Sequence, residues 1–200
     1  MKHFYHTIQG WFDFPVLYSE MVSKYDNAKF IEAGVWKGKS ISYLAVEIIN
    51  AKKNITIDAI DNFPINLPGD ETAYQEFLNN IEPVKDKITL IKKDSVEAAK
   101  DYEDESVDFI FFDSEHSQEH ATHEIKSWYP KIKKGGFLGG HDYVNLYPNK
   151  KGVGFAVTNI FRHRIKLYPG KQCPDITEEI VNNPLHNNMI FGPSWIHHKK

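Results

Sequence analysis

Sulfur is scarce in this chain, whose 200 residues include one cysteine, Cys173, and three methionines. A single thiol closes no internal disulfide and cannot supply the several sulfur ligands of a thiolate zinc site, so a redox or disulfide-stapled protein is not expected. Long apolar runs are missing as well. No stretch approaches the ~20 apolar residues needed to cross a bilayer. The opening segment MKHFYHTIQGWFDFP has no continuous apolar core of the kind a secretory signal carries. A cytoplasmic protein without a membrane partner is the expectation. Positive charge is not in excess either: 24 Lys and Arg are scattered among 27 Asp and Glu, giving a formal net charge of -3. No basic stripe tracks a phosphate backbone, so nucleic acid is not the expected partner.

What remains is the ordinary composition of a soluble globular protein, 41% hydrophobic and 26% charged. The length suits one domain and leaves no room for a separate substrate domain, so any chemistry must sit on the main fold. From residue 29 short β-rich runs alternate with helical patterns, the signal for a parallel sheet built of βαβ units. Strands are expected at residues 29–33, 55–60, 88–91, 107–112 and 137–140, with two further candidates near 165–168 and 189–191. Helices are expected at 38–50, around Tyr74 to Ile81, from Ser117 onward, and at 153–161. Pro130 and the pair Gly135-Gly136 mark the end of the Ser117 helix in this reading. Residues 1–28 form a helical cap and 29–200 an α/β core. The predicted architecture is a doubly wound, Rossmann-like three-layer sandwich with a seven-stranded mixed sheet.

In such sheets ligands bind beyond the carboxyl ends of the strands, where strand order reverses. Strand one is followed by Glu32-Ala33-Gly34-Val35-Trp36-Lys37-Gly38-Lys39-Ser40. Its glycines allow a tight turn and close backbone approach to a ligand at a helix N-terminus. A phosphate-binding P-loop needs four residues between its first Gly and the Gly-Lys-Ser, whereas Gly34 and Gly38 are separated by three. A dinucleotide fingerprint needs a glycine where Trp36 stands. Asp61 ends the second strand, where a carboxylate can accept hydrogen bonds from ribose hydroxyls. A ribose without a phosphate is the ligand these features describe.

With Asp61, the segment Phe30-Ile31-Glu32-Ala33-Gly34-Val35-Trp36-Lys37-Gly38-Lys39-Ser40 resembles motif I and the acidic position of class I S-adenosylmethionine-dependent methyltransferases. The resemblance spans roughly residues 28–161. Phe112-Asp113-Ser114-Glu115-His116-Ser117 and Gly135-Gly136-Phe137-Leu138-Gly139-Gly140-His141-Asp142-Tyr143 are similar to the metal-dependent macrocin and mycinamicin sugar O-methyltransferase branch. The resemblance implies S-adenosylmethionine bound by Glu32, Gly34, Trp36, Gly38, Ser40, Asp61, Asn62, Asp94, Ser95 and Asp113. It also implies O-methylation of a small polar acceptor such as a sugar. Asp94 has a second reading as a plain helix cap.

Methyl transfer to a hydroxyl is an in-line displacement that needs an oriented, activated oxygen. Asp113, His141 and Asp142 follow adjacent strands and offer two hard oxygens and an imidazole to one Mg²⁺ or Mn²⁺. His116, three residues after Asp113, is the candidate base, with Asp113 beside it as the second catalytic residue. His116 also reads as a capping or surface residue. The resembling enzymes place Glu-Asp where this chain has His141-Asp142, and imidazole is a poorer ligand for Mg²⁺. His120 and His123 are expected to point elsewhere, and His197-His198-Lys199-Lys200 to form a solvated tail. Trp11, Phe12 and Phe14 either close over the cofactor or pack within the cap; exposed aromatics there would also suit a homo-oligomer. Two alternatives stay open: an NAD-dependent oxidoreductase, and a non-catalytic nucleoside-binding module.

Overall fold

A computed structural model describes residues 1–64, 70–143, 152–162, 164–170 and 193–200. Among these, seven strands form one sheet in the order β3-β2-β1-β4-β5-β7-β6. They are β1 (Asn27–Ala33), β2 (Asn54–Ile60), β3 (Ile88–Ile91), β4 (Val107–Phe112), β5 (Ile132–Gly140), β6 (Lys166–Tyr168) and β7 (Ser194–His198). Strands β1 to β5 pair in parallel, while β7 runs antiparallel to both β5 and β6. This is the doubly wound mixed sheet that the patterning predicts.

The central strands read as continuous apolar runs because both faces are covered. Side chains alternate, so Phe30, Phe109 and Phe111 enter one core with α1 (Pro15–Lys24), α2 (Lys39–Ala51) and α3 (Ala73–Ile81). Ile31, Ala33, Ile110 and Phe112 enter the other, with α4 (Ser95–Ala98), α5 (Gln118–Trp128) and α6 (Val153–Phe161). Each large side chain buried this way contributes roughly 1.5–3 kcal/mol. No helix among the described residues is long and apolar enough to cross a membrane.

Two expectations are corrected. Gly135 and Gly136 lie inside β5, not at a helix end. Val107 pairs with Ile132 but Phe109 with Phe137, so β5 bulges between them, and Gly135 takes the positive φ of 80° there. The C-terminal residues are no tail: His197 is buried in β7, stacks on Phe161 at 4.0 Å and bonds through Nδ1 to the Arg164 carbonyl at 2.7 Å. Lys199 Nζ donates to the Ile132 carbonyl at 2.7 Å. The cap is partly as expected, with α1 and a 3₁₀ turn at Tyr5–Thr7. The strand candidate at residues 189–191, Cys173 and residues 144–151 lie outside the described residues.

Candidate cofactor and reaction site

Strand order reverses between β1 and β4, and there Gly34 is pressed against the other loop. A Cβ on Gly34 would lie 2.2 Å from the Asp113 carbonyl oxygen, and its φ of 86° is one that side chains rarely adopt. A cavity of about 290 Å³ opens at this point, beyond the ends of β1 to β4. Of the residues expected to bind the cofactor, Gly34, Trp36, Asp61, Asn62, Asp94, Ser95 and Asp113 line it. Glu32, Gly38 and Ser40 do not.

Asp61 explains the shape of the glycine turn. Its Oδ2 accepts from the backbone N–H groups of Val35 and Trp36, both at 2.9 Å, and its Oδ1 accepts from that of Phe63 at 2.6 Å. Trp36 is held with a positive φ of 41°, and its indole N–H donates to Asp70 Oδ1 at 3.1 Å. The N–H groups that would cradle a pyrophosphate are thus already occupied by a carboxylate. Of the roughly four lone-pair directions on a carboxylate, one is left for a ligand hydroxyl. Among the described residues carboxylates dominate the wall, with Asp61, Asp70, Asp94, Asp113 and Glu115 against Lys93 and His120. The site therefore favours a cationic, ribose-bearing ligand over a dianionic one.

Glu32 is fully buried under α1 and α2, where Ser40 Oγ donates to its Oε1. Desolvation raises its pKa to about 8, opposed by Ser40 and Tyr18. Neither the Tyr18 hydroxyl nor Glu32 Oε2 meets a strict hydrogen-bond geometry, so Tyr18 acts on Glu32 through proximity. Glu32 therefore supports the loop from beneath.

At the opposite end Asp94 caps α4, its Oδ1 accepting from Val96 N at 2.9 Å and Glu97 N at 3.1 Å, and it also lines the cavity. Both readings of Asp94 are thus compatible. His120 is a correction: it lines the cavity rather than pointing away. Its neighbour Glu124, almost wholly buried, accepts from Ser95 Oγ and from Ser114 Oγ at 2.7 Å, and lies 3.5 Å from His120 Nε2. The hydrogen bond to Glu124 raises the His120 pKa, against its burial. The sequence did carry a signal, since His120 and Glu124 are one helical turn apart. His123 lies on a separate surface hollow with Ser117 and Thr122.

Beyond β4 and β5, Asp113, His141 and Asp142 converge, with donor atoms all within 4.8 Å of one another. His141 Nδ1 is 3.3 Å from Asp142 Oδ1 and 3.8 Å from Asp113 Oδ1. Donors sharing one ion at ~2.0–2.2 Å lie roughly 3–4 Å apart, a range that holds both His141 distances, so with a small contraction of the set these residues fit a divalent cation. Asp142 takes a positive φ of 53°, which Asp tolerates, and its Oδ2 reaches His116 Nε2 at 3.1 Å. Burial lifts the Asp113 carboxyl to about 6, against the opposing pull of His141. Burial would lower the His141 pKa, but hydrogen bonds to Asp13 and Asp142 and the nearby carboxylates hold it well above the ordinary value. Sequence reasoning missed Asp13, whose Oδ1 accepts from His141 Nε2 at 2.9 Å across 128 positions.

Residues 31–143 match the sequence pattern of the "methyltransferase domain" family, and the chain belongs to that family. Solved structures share the fold. A protein described as a "putative O-methyltransferase", from Klebsiella pneumoniae, has a TM-score of 0.61 at 13% identity, covering 93% of this chain and 80% of its own. A SAM-dependent O-methyltransferase from Thermotoga maritima gives 0.59 at 13% identity, covering 93% and 65%. Fibrillarin from Aeropyrum pernix, solved with natively bound S-adenosyl-L-methionine, gives 0.52 at 12% identity, covering 86% and 66%. No protein of curated function matches the sequence.

Proposed function

We propose that this chain transfers the methyl group of S-adenosylmethionine to a hydroxyl oxygen of a small polar acceptor such as a sugar. The observation that carries the reading is the Asp61 carboxylate seated on the Val35 and Trp36 N–H groups. It leaves a turn that welcomes a ribose hydroxyl and a positive charge and offers a pyrophosphate nothing. The NAD alternative loses its phosphate cradle for the same reason. The cofactor supplies an electrophilic methyl on a sulfonium, and the carboxylate-rich wall is suited to hold that cation. The Gly34 turn and Asp113 mark the end at which the reacting carbon would sit; Asp94, Ser95 and His120 mark the end for the base.

His116 is the proposed general base. Its side chain is 56% exposed, open to an incoming acceptor, and Asp142 orients its Nε2. Asp142 would stabilise the imidazolium formed when the acceptor proton is taken. Asp113, His141 and Asp142 would hold a divalent cation, which supplies Lewis acidity toward the acceptor hydroxyl. This metal-assisted reading and the likeness to the sugar O-methyltransferase branch belong together.

Calorimetric titration with S-adenosylmethionine and S-adenosylhomocysteine, with and without Mg²⁺, tests the cofactor. Micromolar binding that is lost in Asp61→Ala supports the reading. A folded protein that binds NAD and neither of these ligands would overturn it. An acceptor screen with His116→Ala then tests the base, for which a loss of ~10²–10⁴ in kcat with unchanged cofactor affinity is expected.

A further inference from the structure

Both ring nitrogens of His141 are engaged by groups from three parts of the chain. Nδ1 faces Asp142 and Asp113, while Nε2 donates to Asp13, in the segment that leads into α1. The ring is 6% exposed and lies 5.2 Å from the ring of Phe14, so it is packed as well as bonded. A carboxylate on the far nitrogen keeps a proton there, so a cation between Asp113 and Asp142 would displace only the Nδ1 proton and meet that nitrogen's lone pair. Such a chain of carboxylate, imidazole and cation raises ligand basicity and stops the ring from rotating.

We infer that Asp13 is a positioning residue that aims His141 Nδ1 at a cation shared with Asp113 and Asp142, and that this nitrogen donor favours a first-row transition ion, for which Mn²⁺ is the spectroscopic probe, over Mg²⁺. The inference rests on the metal-assisted reading above. Mg²⁺ prefers oxygen ligands and keeps its waters, whereas imidazole suits first-row transition ions. The N-terminal segment is then part of the reaction centre as well as a cover for the sheet. Asp13 is not among the residues that line the cofactor cavity.

The test is a Mn²⁺ titration of the full chain followed by electron paramagnetic resonance, with pulsed detection of nitrogen coupling and Mg²⁺ as competitor. S-adenosylhomocysteine binding is measured in parallel. Expected are Mn²⁺ binding at least ~10-fold tighter than Mg²⁺, a nitrogen coupling lost in His141→Ala, and a ~10–100-fold weaker Mn²⁺ affinity in Asp13→Ala. Asp13→Asn, which keeps an acceptor without the charge, should fall between and carries the test if the alanine variant no longer folds. Wild-type Mn²⁺ affinity in both Asp13 variants overturns the positioning role, and a bound ion without nitrogen coupling overturns His141 as a ligand. Mg²⁺ bound as tightly as Mn²⁺ overturns the selectivity. If S-adenosylhomocysteine binds and Mn²⁺ does not, the metal-assisted reading falls with this inference and the cofactor reading stands.

Discussion

Glu32 and Asp61 are both carboxylates at the ends of neighbouring parallel strands, yet they live in opposite conditions. Glu32 is the second-last residue of β1, with Ala33 still paired beyond it, and its side chain turns into the core. Asp61 is one residue past the end of β2 and meets the rim of the cavity. Asp61 collects three backbone donors; Glu32 has a serine hydroxyl and no exposure to solvent. The supply of donors decides which carboxylate shapes a loop, and burial with few donors is what raises the pKa of Glu32.

The sharpest way to break this contrast is to disturb the turn that separates the two residues. Gly34→Ala forces a Cβ onto the Asp113 carbonyl in a backbone conformation that resists side chains, so a loss of more than about 4 kcal/mol is expected in urea denaturation. Asp61→Ala comes next. Three N–H groups lose their acceptor, and since water can reach them through the cavity, a cost of ~2–4 kcal/mol is expected rather than the full sum. Asp61→Asn should recover part of it.

Glu32→Gln is expected to act in the other direction and with pH. The folded state holds the Glu32 proton up to about pH 8, while the unfolded chain releases it near 4.5. Between those values the folded state binds more protons, so this group makes stability fall as pH rises from about 4.5 to 8, with no further loss above. Glutamine removes that slope. The melting temperature of the variant should therefore gain on the wild type from pH 5 to pH 8, and a constant gap would show that Glu32 is ionised throughout. Asp94→Ala is the smallest change, ~1 kcal/mol for a lost helix cap. A concurrent drop in S-adenosylhomocysteine affinity would assign Asp94 to the ligand as well as to the cap.

The parallel half of the sheet was legible because its strands are buried on both faces and its helices repeat at 3.6 residues. Asp61, Gly34 and Asp113 were legible because position after a strand end is a property of the sequence. What escaped depends on contacts distant in the chain. Gly135-Gly136 after a helix looks like a stop, and only pairing with β4 makes it a bulge. His197 and His198 look like a polar tail, and only the rings of Phe161 and Phe137 make them a strand's inner and outer faces. Asp13 sits in an aromatic stretch that gave no reason to single out its carboxylate. The place of Glu32 near a strand end is visible in the sequence, whereas the turn of its side chain into the core, away from the cavity wall, is set by packing.

The reversed strand β7 lies between β5 and β6, although it is made after both. On the ribosome β6 therefore has no partner in the sheet when it emerges. At ~5–20 residues per second, the stretch from Tyr168 to Ser194 takes roughly one to five seconds to be made. During that interval the outer edge of β5 carries unpaired backbone groups, including those of the side-chain-free Gly139 and Gly140, which is the kind of edge that recruits a strand from another chain. Nascent chains stalled before β7 should for that reason be the ones that bind chaperones and aggregate, while chains released after it should be closed.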